Sequence, residues 1–324
     1  MPFSNSIILK TLTPVHIGSG DELSPNEYLV DNRFHRLNMR SLFEDTLFVP
    51  YINDFITLGS QQRYIGDMNI KKELLKKHIL YSINIDVSAN DYIINHKTNV
   101  KTFIKTTGKV FIPGSSIKGS ILSALIWYVL LEKAKGEKNK IKEFFYIDRD
   151  RDIQRKKSGE LFDLALSLIS GEIISDVSNK RFLHWLDISD SDTLSPEQSL
   201  NLSLAQVIGS RKNILPILYE TLIPNDTFKL TVGLKKIKFT MKDILDITDQ
   251  FYRRIMKVID YKGPQSSGFI ARLGQGSSAF STSLLILAQD LNMENEYSHI
   301  VKPPSTQKLI GNQIPMGWVE CKFI

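Results

Sequence analysis

The chain reads Phe111-Ile112-Pro113-Gly114-Ser115-Ser116-Ile117-Lys118-Gly119-Ser120 where a strand ends, a glycine turn follows and an apolar helix begins. Pro113 and Gly114 interrupt the strand, and either Ser115 or Ser116 can cap the helix that continues to Leu131. The N–H groups of a first helical turn attract anions, and Lys118 adds a positive charge beside them. This segment therefore predicts a contact with a phosphate group.

Two other readings of this segment lead to different functions. A nucleotide-binding P-loop needs Lys and then Ser or Thr after its second glycine, whereas Gly119 is followed by Ser120 and Ile121. The pattern therefore argues against hydrolysis of a nucleoside triphosphate. An ordinary tight turn capped by a serine is the alternative without a ligand.

Two more glycine-serine loops lie beside strand-like segments. The first, Val15-His16-Ile17-Gly18-Ser19-Gly20, follows the apolar stretch 6–10. The second, Arg272-Leu273-Gly274-Gln275-Gly276-Ser277, precedes the apolar run 284–288. Small residues at three such places favour close approach of the backbone to a ligand.

In this order, an early HIG-type loop, an IPGSSxKG segment and a late glycine-rich loop resemble the RAMP (repeat-associated) proteins of CRISPR systems. Within that superfamily the chain is most similar to the subunit of the type III-A, or Csm, effector complex that caps the 3′ end of the guide RNA. The stretch 183–191 and the terminal Ile314-Pro315-Met316-Gly317-Trp318, which resembles a PxGW ending, support this similarity. The resemblance extends over essentially the whole chain.

The resemblance implies an α+β fold of two ferredoxin-like (RRM-like, RAMP) modules with glycine-rich loops. We expect the modules to be residues 1–190 and 191–324, divided in the polar run around Pro196. The highly charged stretch near 133–160 is interpreted as an exposed, partly mobile insertion in the first module. Apolar spacing predicts helices that include 68–80, 117–131, 199–208 and 241–258.

The function implied by the resemblance is non-catalytic RNA binding. The subunit would bind the 3′ region of the guide RNA, cap the backbone of repeated subunits and support maturation of the guide 3′ end in antiviral defence. Implied partners are the guide RNA (crRNA), the repeated backbone RAMP subunit, the small helical subunit and host nucleases that trim the guide, with no cofactor or metal. The candidate RNA-binding residues come from the three loops: His16, Gly18, Ser19, Gly20, Gly114, Ser115, Ser116, Lys118, Gly119, Arg272, Gly274, Gln275, Gly276 and Ser277.

Three alternatives remain open at this point. His16 can serve as the proton acceptor of a metal-free endoribonuclease that processes guide RNA precursor. The target-cleaving backbone subunit of the same complexes carries a loop aspartate soon after its early glycine loop, where this chain has Asp21, Glu22 and Glu27. These acids match no pattern of that active loop, so a metal-dependent ribonuclease is the weaker alternative. The chain can also be a RAMP protein that occupies another position in a related type III complex.

Composition fits a soluble protein with a nucleic-acid partner. The 324 residues carry a net charge of +6, with 42% apolar residues, and the pI is about 9.1. A single cysteine, Cys321, excludes an internal disulfide framework and a multi-cysteine zinc site, and the six histidines show no HExxH spacing. The first residues do not read as a secretion signal and no apolar run reaches the roughly 18 residues of a membrane span, so we expect a cytoplasmic protein.

Overall fold

The computed structural model describes residues 4–145, 151–171, 185–208, 215–234, 238–263, 266–276, 285–293, 307–311 and 313–324. The strands are β1 Ser4–Thr11, β2 Gly18–Leu23, β3 Tyr28–Val30, β4 Phe34–Leu37, β5 Ile79–Ile85, β6 Val100–Phe103, β7 Lys105–Thr106, β8 Lys109–Val110, β9 Leu186–Ile188, β10 Leu200–Ile208, β11 Leu215–Leu222, β12 Thr227–Leu234, β13 Phe269–Arg272, β14 Gln307–Ile310, β15 Ile314–Pro315 and β16 Trp318–Phe323. The helices, numbered in chain order, are α1 Met39–Glu44, α2 Ile52–Ser60, α3 Lys72–Lys76, α4 Val87–His96, α5 Gly114–Glu143, α6 Arg151–Ser170, α7 Pro196–Ser199, α8 Met241–Val258 and α9 Leu285–Asp290. The predicted α+β class is confirmed.

Sheet I has five strands in the order β13-β16-β1-β12-β9, with β1 antiparallel to both β12 and β16. The side chains of β1 alternate between the two faces of the sheet: Ile7 and Leu9 are buried, while Ile8 is 38% exposed. Helices α5 and α8 pack on the apolar face and on each other. This arrangement leaves the loops at the ends of β1, β13 and β16 together at one end of the sheet.

Helix α8 shows why the long helices were predictable. Thr240 caps its first turn, with Oγ1 accepting a hydrogen bond from Asp243 N at 3.2 Å and the Asp243 side chain bonding back. Its apolar side chains then recur at helical spacing and are buried, among them Ile244, Ile247 and Phe251. The helix therefore presents a separate polar stripe to solvent.

Helix α5 is long and apolar enough to cross a membrane by length and composition, but 56% of its most apolar stretch is buried inside the protein. Its Ser120 hydroxyl donates a hydrogen bond to the Tyr252 hydroxyl of α8 at 2.8 Å. These contacts are those of a core helix in a globular fold.

Sheet II follows the order β2-β6-β11-β10-β5-β4-β3, and β14 joins the far end of β10. The helix predicted over 199–208 is wrong, since this stretch is strand β10 and only α7 precedes it. Leu200, Leu202 and Leu204 are buried on one face and Ser203 and Ala205 on the other, and β10 pairs with β11 on one side and with β5 and β14 on the other. Partners distant in sequence override the helix propensity of this stretch.

Three further expectations can be compared with these elements. Sheet I combines β1 with β12, β13 and β16, and sheet II combines β2 to β6 with β10 and β11, so a boundary at residue 190 does not separate the two sheets. The charged stretch near 133–160 is helical at 133–143 and 151–160, in α5 and α6, with a turn at 144–145. The helix expected over 68–80 is limited to α3, and β5 begins at Ile79.

Candidate nucleic-acid interface

The first and last glycine loops meet at the end of sheet I. Gln275 N donates to the His16 carbonyl oxygen at 2.8 Å, and Gly317 N donates to the Pro14 carbonyl oxygen at 2.9 Å. Leu273 N completes the junction by donating to the Gly317 carbonyl oxygen at 2.8 Å. Three segments far apart in sequence are therefore joined through backbone hydrogen bonds.

Glycine is required at two positions of this junction. Gly274 has a φ of +69°, and a Cβ placed there would lie 2.0 Å from the His16 carbonyl oxygen. Gly317 has a φ of +96°, and its Cβ would lie 2.5 Å from the Leu273 carbonyl oxygen. Both positions combine a left-handed backbone with a close backbone neighbour, so no other residue type fits without displacing the loops.

His16 is the buried centre of the junction, with 0% of its surface exposed. Its Nδ1 lies 2.7 Å from the Glu220 carbonyl oxygen, so Nδ1 carries the proton and donates it. Burial lowers the pKa of His16 to about 4, which keeps the ring neutral. The ring packs on Tyr219 with a centroid separation of 4.6 Å, and Nε2 is buried without a hydrogen-bond partner among the described residues.

Glu220, whose carbonyl oxygen accepts the His16 hydrogen bond, has a side chain that is itself fully hydrogen-bonded. Its buried carboxylate accepts hydrogen bonds from the Tyr81 hydroxyl, from Phe103 N at 2.9 Å and from Lys105 Nζ at 2.5 Å. This set of donors satisfies a charge that would otherwise be costly to bury. A single acid in the apolar run Leu215–Leu222 was the available sequence signal, and our sequence analysis missed it.

Two lysines and a tyrosine that sequence reasoning also missed complete the site. Lys308 Nζ lies 2.7 Å from the Tyr219 hydroxyl and 3.2 Å from Gln275 Oε1. Lys101 Nζ lies 2.7 Å from Glu22 Oε1, and the Lys101 side chain is 33% exposed. Burial and the neighbouring Lys101 charge lower the pKa of Lys308. The two lysines come from β6 and β14, and only the tertiary fold places them beside the loops.

Residues 18–20 form the exposed edge of the site. The pairing of β2 with β6 shifts register between Gly18 and Glu22, so Ser19 and Gly20 bulge from the ladder. The Ser19 hydroxyl lies 2.5 Å from Thr102 Oγ1, which fixes the bulge. We call the exposed residues Gly18, Ser19, Gly20 and Gln275, together with the half-buried Lys101 and Lys308, the two-loop surface.

Arg272 lies beneath the two-loop surface rather than on it. Only 3% of the residue is exposed, and its guanidinium donates to the Met316 carbonyl oxygen at 3.0 Å and the Gly276 carbonyl oxygen at 2.6 Å. It also stacks over the Trp318 ring at 5.0 Å. Burial lowers the pKa of Arg272 to about 10, which still leaves it charged. Its position is that of a brace for the last loop, not of a charge offered to a ligand.

The middle segment departs from the predicted anion site at its first residue. The N-cap position of α5 is Pro113, so neither serine caps the helix. Gly114 N instead donates to Asp190 Oδ1 at 2.9 Å, and a Cβ on Gly114 would lie 2.2 Å from the Ile188 carbonyl oxygen. A carboxylate of the chain itself thus occupies the first N–H, and Gly114 allows α5 to pack closely on β9.

The other predicted residues of the three loops are distributed between surface and interior. Ser115 and Gly119 are exposed, Ser116 and Lys118 are half-buried, and Gly276 is buried. Ser277 lies outside the described residues. Their contacts with RNA stay a prediction.

The acids after the first loop have other partners. The Lys101 hydrogen bond lowers the pKa of Glu22, and Glu27 accepts a hydrogen bond from Ser24 N at 2.8 Å in a capping box. Within the described part of the chain, no three His, Cys, Asp or Glu side chains come together in a group that could hold a metal ion. The geometry of these acids therefore gives no support to a metal-dependent ribonuclease.

Comparison with known proteins identifies the family and the fold of this chain. The model of the RAMP superfamily matches residues 8–255. A protein of Methanocaldococcus jannaschii described as CRISPR system Cms protein Csm5 is 29% identical over 259 residues, which are 76% of this chain and 53% of that protein. The chain thus spans about half the length of this curated relative.

Two solved structures share the fold over nearly the whole chain. One chain of the cryo-EM structure of a Csm-crRNA-target RNA ternary complex in a type III-A CRISPR-Cas system matches with a TM-score of 0.75 and 21% identity, covering 99% of this chain and 100% of that one. The crystal structure of T. onnurineus Csm5 matches with a TM-score of 0.68 and 20% identity, covering 97% of this chain and 99% of that one. At these identities the similarity establishes the fold alone.

Proposed function

This chain belongs to the RAMP superfamily, and from that premise we propose that it is a non-catalytic RNA-binding subunit of a type III-A CRISPR effector complex. It would bind the 3′ region of the guide RNA, cap the row of repeated subunits and support maturation of the guide 3′ end. The relative from M. jannaschii and the matched chain of a Csm-crRNA-target RNA complex support this assignment.

The observation that carries the proposal is the two-loop surface. It combines bulged glycine backbone, the exposed Gln275 side chain and the cations Lys101 and Lys308. Backbone amides and lysines contact phosphates and 2′-hydroxyls and read no base edges. Such a surface suits a guide RNA whose spacer sequence varies, because base-specific hydrogen bonds would accept only some spacers.

The environment of His16 supports a binding role over catalysis. A general base must come within about 3 Å of the 2′-hydroxyl it deprotonates, whereas His16 is 0% exposed. Its Nδ1 is committed to the Glu220 carbonyl oxygen, and burial lowers its pKa to about 4, which weakens it as a base near neutral pH. In our proposal His16 positions the two loops.

The proposed partners follow from this role. They are the guide RNA, the repeated backbone RAMP subunit, the small helical subunit and the host nucleases that trim the guide, in the cytoplasm. Contact with the repeated subunit would set where the row ends, and trimming would stop where the RNA is protected by this chain.

The test is to purify the effector complex assembled with this chain, without it, and with the variant Lys101→Gln/Lys308→Gln, and to sequence both ends of the copurified RNA. We expect the chain to be needed for a defined 3′ end, the variant to give heterogeneous 3′ ends, and the 5′ end to stay intact throughout. A matched variant, Lys138→Gln/Lys242→Gln, changes two exposed lysines elsewhere and should leave both ends unchanged. Unaltered 3′ ends without the chain would contradict the proposal.

The second candidate, a guide-precursor endoribonuclease centred on His16, has a distinct outcome in the same experiment. Precursor RNA would then accumulate uncut at the repeat when the chain is missing. Cleavage of repeat RNA by the purified chain in the presence of EDTA, abolished in His16→Asn, would establish that activity.

A further inference from the structure

A cleft lies between three helices on the side of sheet I that carries α5 and α8. It has a volume of about 490 Å³ and is lined by Trp127 and Leu131 of α5, by Asp290 of α9, and by the polar stripe of α8. That stripe consists of Asp249, Gln250, Arg253, Arg254 and Lys257. We call this set of residues the α8 cleft.

The stripe is built by helical spacing. Gln250, Arg253, Arg254 and Lys257 stand at positions i, i+3, i+4 and i+7, so they share one face of α8. The opposite face carries Phe251 and Ile255, which are 1% and 0% exposed. The core thus fixes the orientation of the helix, and the basic side chains point outward.

Two carboxylates hold the arginines of the cleft in place. Arg253 Nε donates to Asp249 Oδ2 at 2.6 Å, and Arg254 Nε donates to Asp290 Oδ1 at 2.8 Å. The second oxygen of each acid is also engaged, because Asp249 Oδ1 accepts from Ile270 N at 2.9 Å and Asp290 Oδ2 accepts from Trp127 Nε1 at 2.8 Å.

The arginines keep binding capacity for a ligand. They bond to the acids through Nε, and a guanidinium has further N–H donors on its terminal nitrogens that can bind another carboxylate. Their side chains are 44% and 37% exposed, so a partner can reach them. Lys257 is exposed and has no ion-pair partner among the described residues.

The balance of charge limits what fits the α8 cleft. Three cations and two carboxylates line it, which leaves a net charge of +1. A run of RNA phosphates would meet both carboxylates, whereas one acidic side chain matches the net charge of the cleft. Trp127 and the half-buried Leu131 form an apolar wall next to those cations, which suits an apolar side chain neighbouring the acid.

We propose that the α8 cleft is a docking site for an acidic segment of a partner protein. A Glu or Asp of that segment would pair with Arg253, Arg254 and Lys257, and an adjacent apolar side chain would lie on Trp127 and Leu131. The inference rests on the proposed function only in expecting the partner among the proteins of the effector complex.

The test is site-specific photocrosslinking in the assembled complex. The photoreactive residue replaces Gln250, which is exposed on the wall of the α8 cleft and has no charge to lose. The control position is Lys242, which is exposed on the same helix but outside the cleft. Mass spectrometry of the crosslinked peptide identifies the occupant.

We expect position 250 to crosslink at least tenfold more than position 242, and to a protein segment that contains Asp or Glu. Lys257→Glu should lower that yield about tenfold, and replacing the identified acid with Lys should restore it. Lys257 is exposed, so Lys257→Glu leaves folding intact. Arg254→Glu is avoided because it would break the hydrogen bond to Asp290. A crosslink to RNA, a yield equal to that at 242, or a yield unaffected by Lys257→Glu would overturn the proposal.

Sequencing of the guide RNA in the same preparations separates this proposal from the proposed function. A defined 3′ end with no crosslink at position 250 would reject the docking site alone. Undefined 3′ ends together with a charge-dependent protein crosslink would reject the capping role and retain the docking site.

Discussion

At the scale of single residues, the site depends on the neighbours that each side chain acquires in the fold. His16 and Arg272 were both predicted as RNA contacts from their place beside glycines, yet both are buried and bond to backbone carbonyls. Sequence identifies loops that require glycine, because a turn dictates its own backbone geometry. It does not show whether a polar side chain points outward, since burial is decided by distant segments such as β11.

His16 predicts a pH dependence of stability. Its folded pKa of about 4 lies below the ordinary 6.5, so the unfolded chain binds more protons between these values and stability falls as the pH is lowered. From pH 7.5 to pH 5 this residue alone should cost roughly 2 kcal/mol in the free energy of unfolding. His16→Asn keeps a donor for the Glu220 carbonyl oxygen but cannot titrate, so its stability should decline less over this range.

Urea unfolding of the two proteins at pH 7.5, 6 and 5 measures the difference. Comparing the proteins cancels the contribution of carboxylates that titrate in both. Parallel curves for the wild type and His16→Asn would show that His16 is charged in the folded protein or solvated, contrary to the structure.

Paired glycine substitutions test the loop junction. Gly274→Ala places a Cβ 2.0 Å from a backbone oxygen at a φ of +69°. The substitution should lower the free energy of unfolding by about 3 kcal/mol, and it should also weaken binding to RNA. Gly119→Ala lies in α5 with open space around the new Cβ, and should stabilise by about 0.5–1 kcal/mol. Thermal and urea unfolding measure both effects, and equal effects of the two substitutions would contradict the close contact at Gly274.

At the scale of elements, apolar spacing and capping residues predicted the helices for which such signals lie within the helical segment itself. Helices α5 and α8 have long apolar periodicity, and α8 also has a capping box. The Leu, Ala and Gln residues of β10 favour a helix, while its pairing with β11, β5 and β14 is not visible in its own sequence. The same limit hid Lys101 and Lys308, since strand pairing alone makes them neighbours of the loops.

The two-loop surface predicts a salt-dependent affinity for single-stranded RNA. Each lysine that neutralises a phosphate contributes about 0.7 to the slope of log K against log salt concentration for a single strand. Lys101→Gln/Lys308→Gln should therefore flatten that slope by about 1.4 and weaken binding at low salt. Fluorescence anisotropy of a labelled guide 3′ fragment over a salt series measures this slope with the full chain.

The control for this measurement is Lys138→Gln/Lys242→Gln, which removes the same charge from exposed positions outside the two-loop surface. It should retain the wild-type slope to within about 0.3. An equal loss in both variants would mean that net charge, and not the two-loop surface, governs binding.

At the scale of the whole molecule, the two sheets are interleaved along the chain. The first strand, β1, lies between β12 and β16, and both of these come from the last third of the sequence. Sheet II likewise pairs β5 with β10 and β6 with β11. A linear boundary at residue 190 could be proposed from composition, because a polar run with a proline resembles a linker. Composition carries no information on which strands pair across it.

Interleaving predicts that the halves of the chain do not fold separately. A fragment of residues 1–190 loses both neighbours of β1, and a fragment of residues 191–324 loses the strand that joins β12 to β16. Neither fragment can then bury the face that α5 and α8 cover together, so each should lack dispersed amide resonances and a cooperative thermal transition. Coexpression of both fragments should restore a soluble complex, because the missing strands are supplied in trans.

The full chain should unfold in a single urea transition by fluorescence and by far-ultraviolet circular dichroism alike. Independent cooperative unfolding of either fragment would show that the 1–190 and 191–324 modules are autonomous after all.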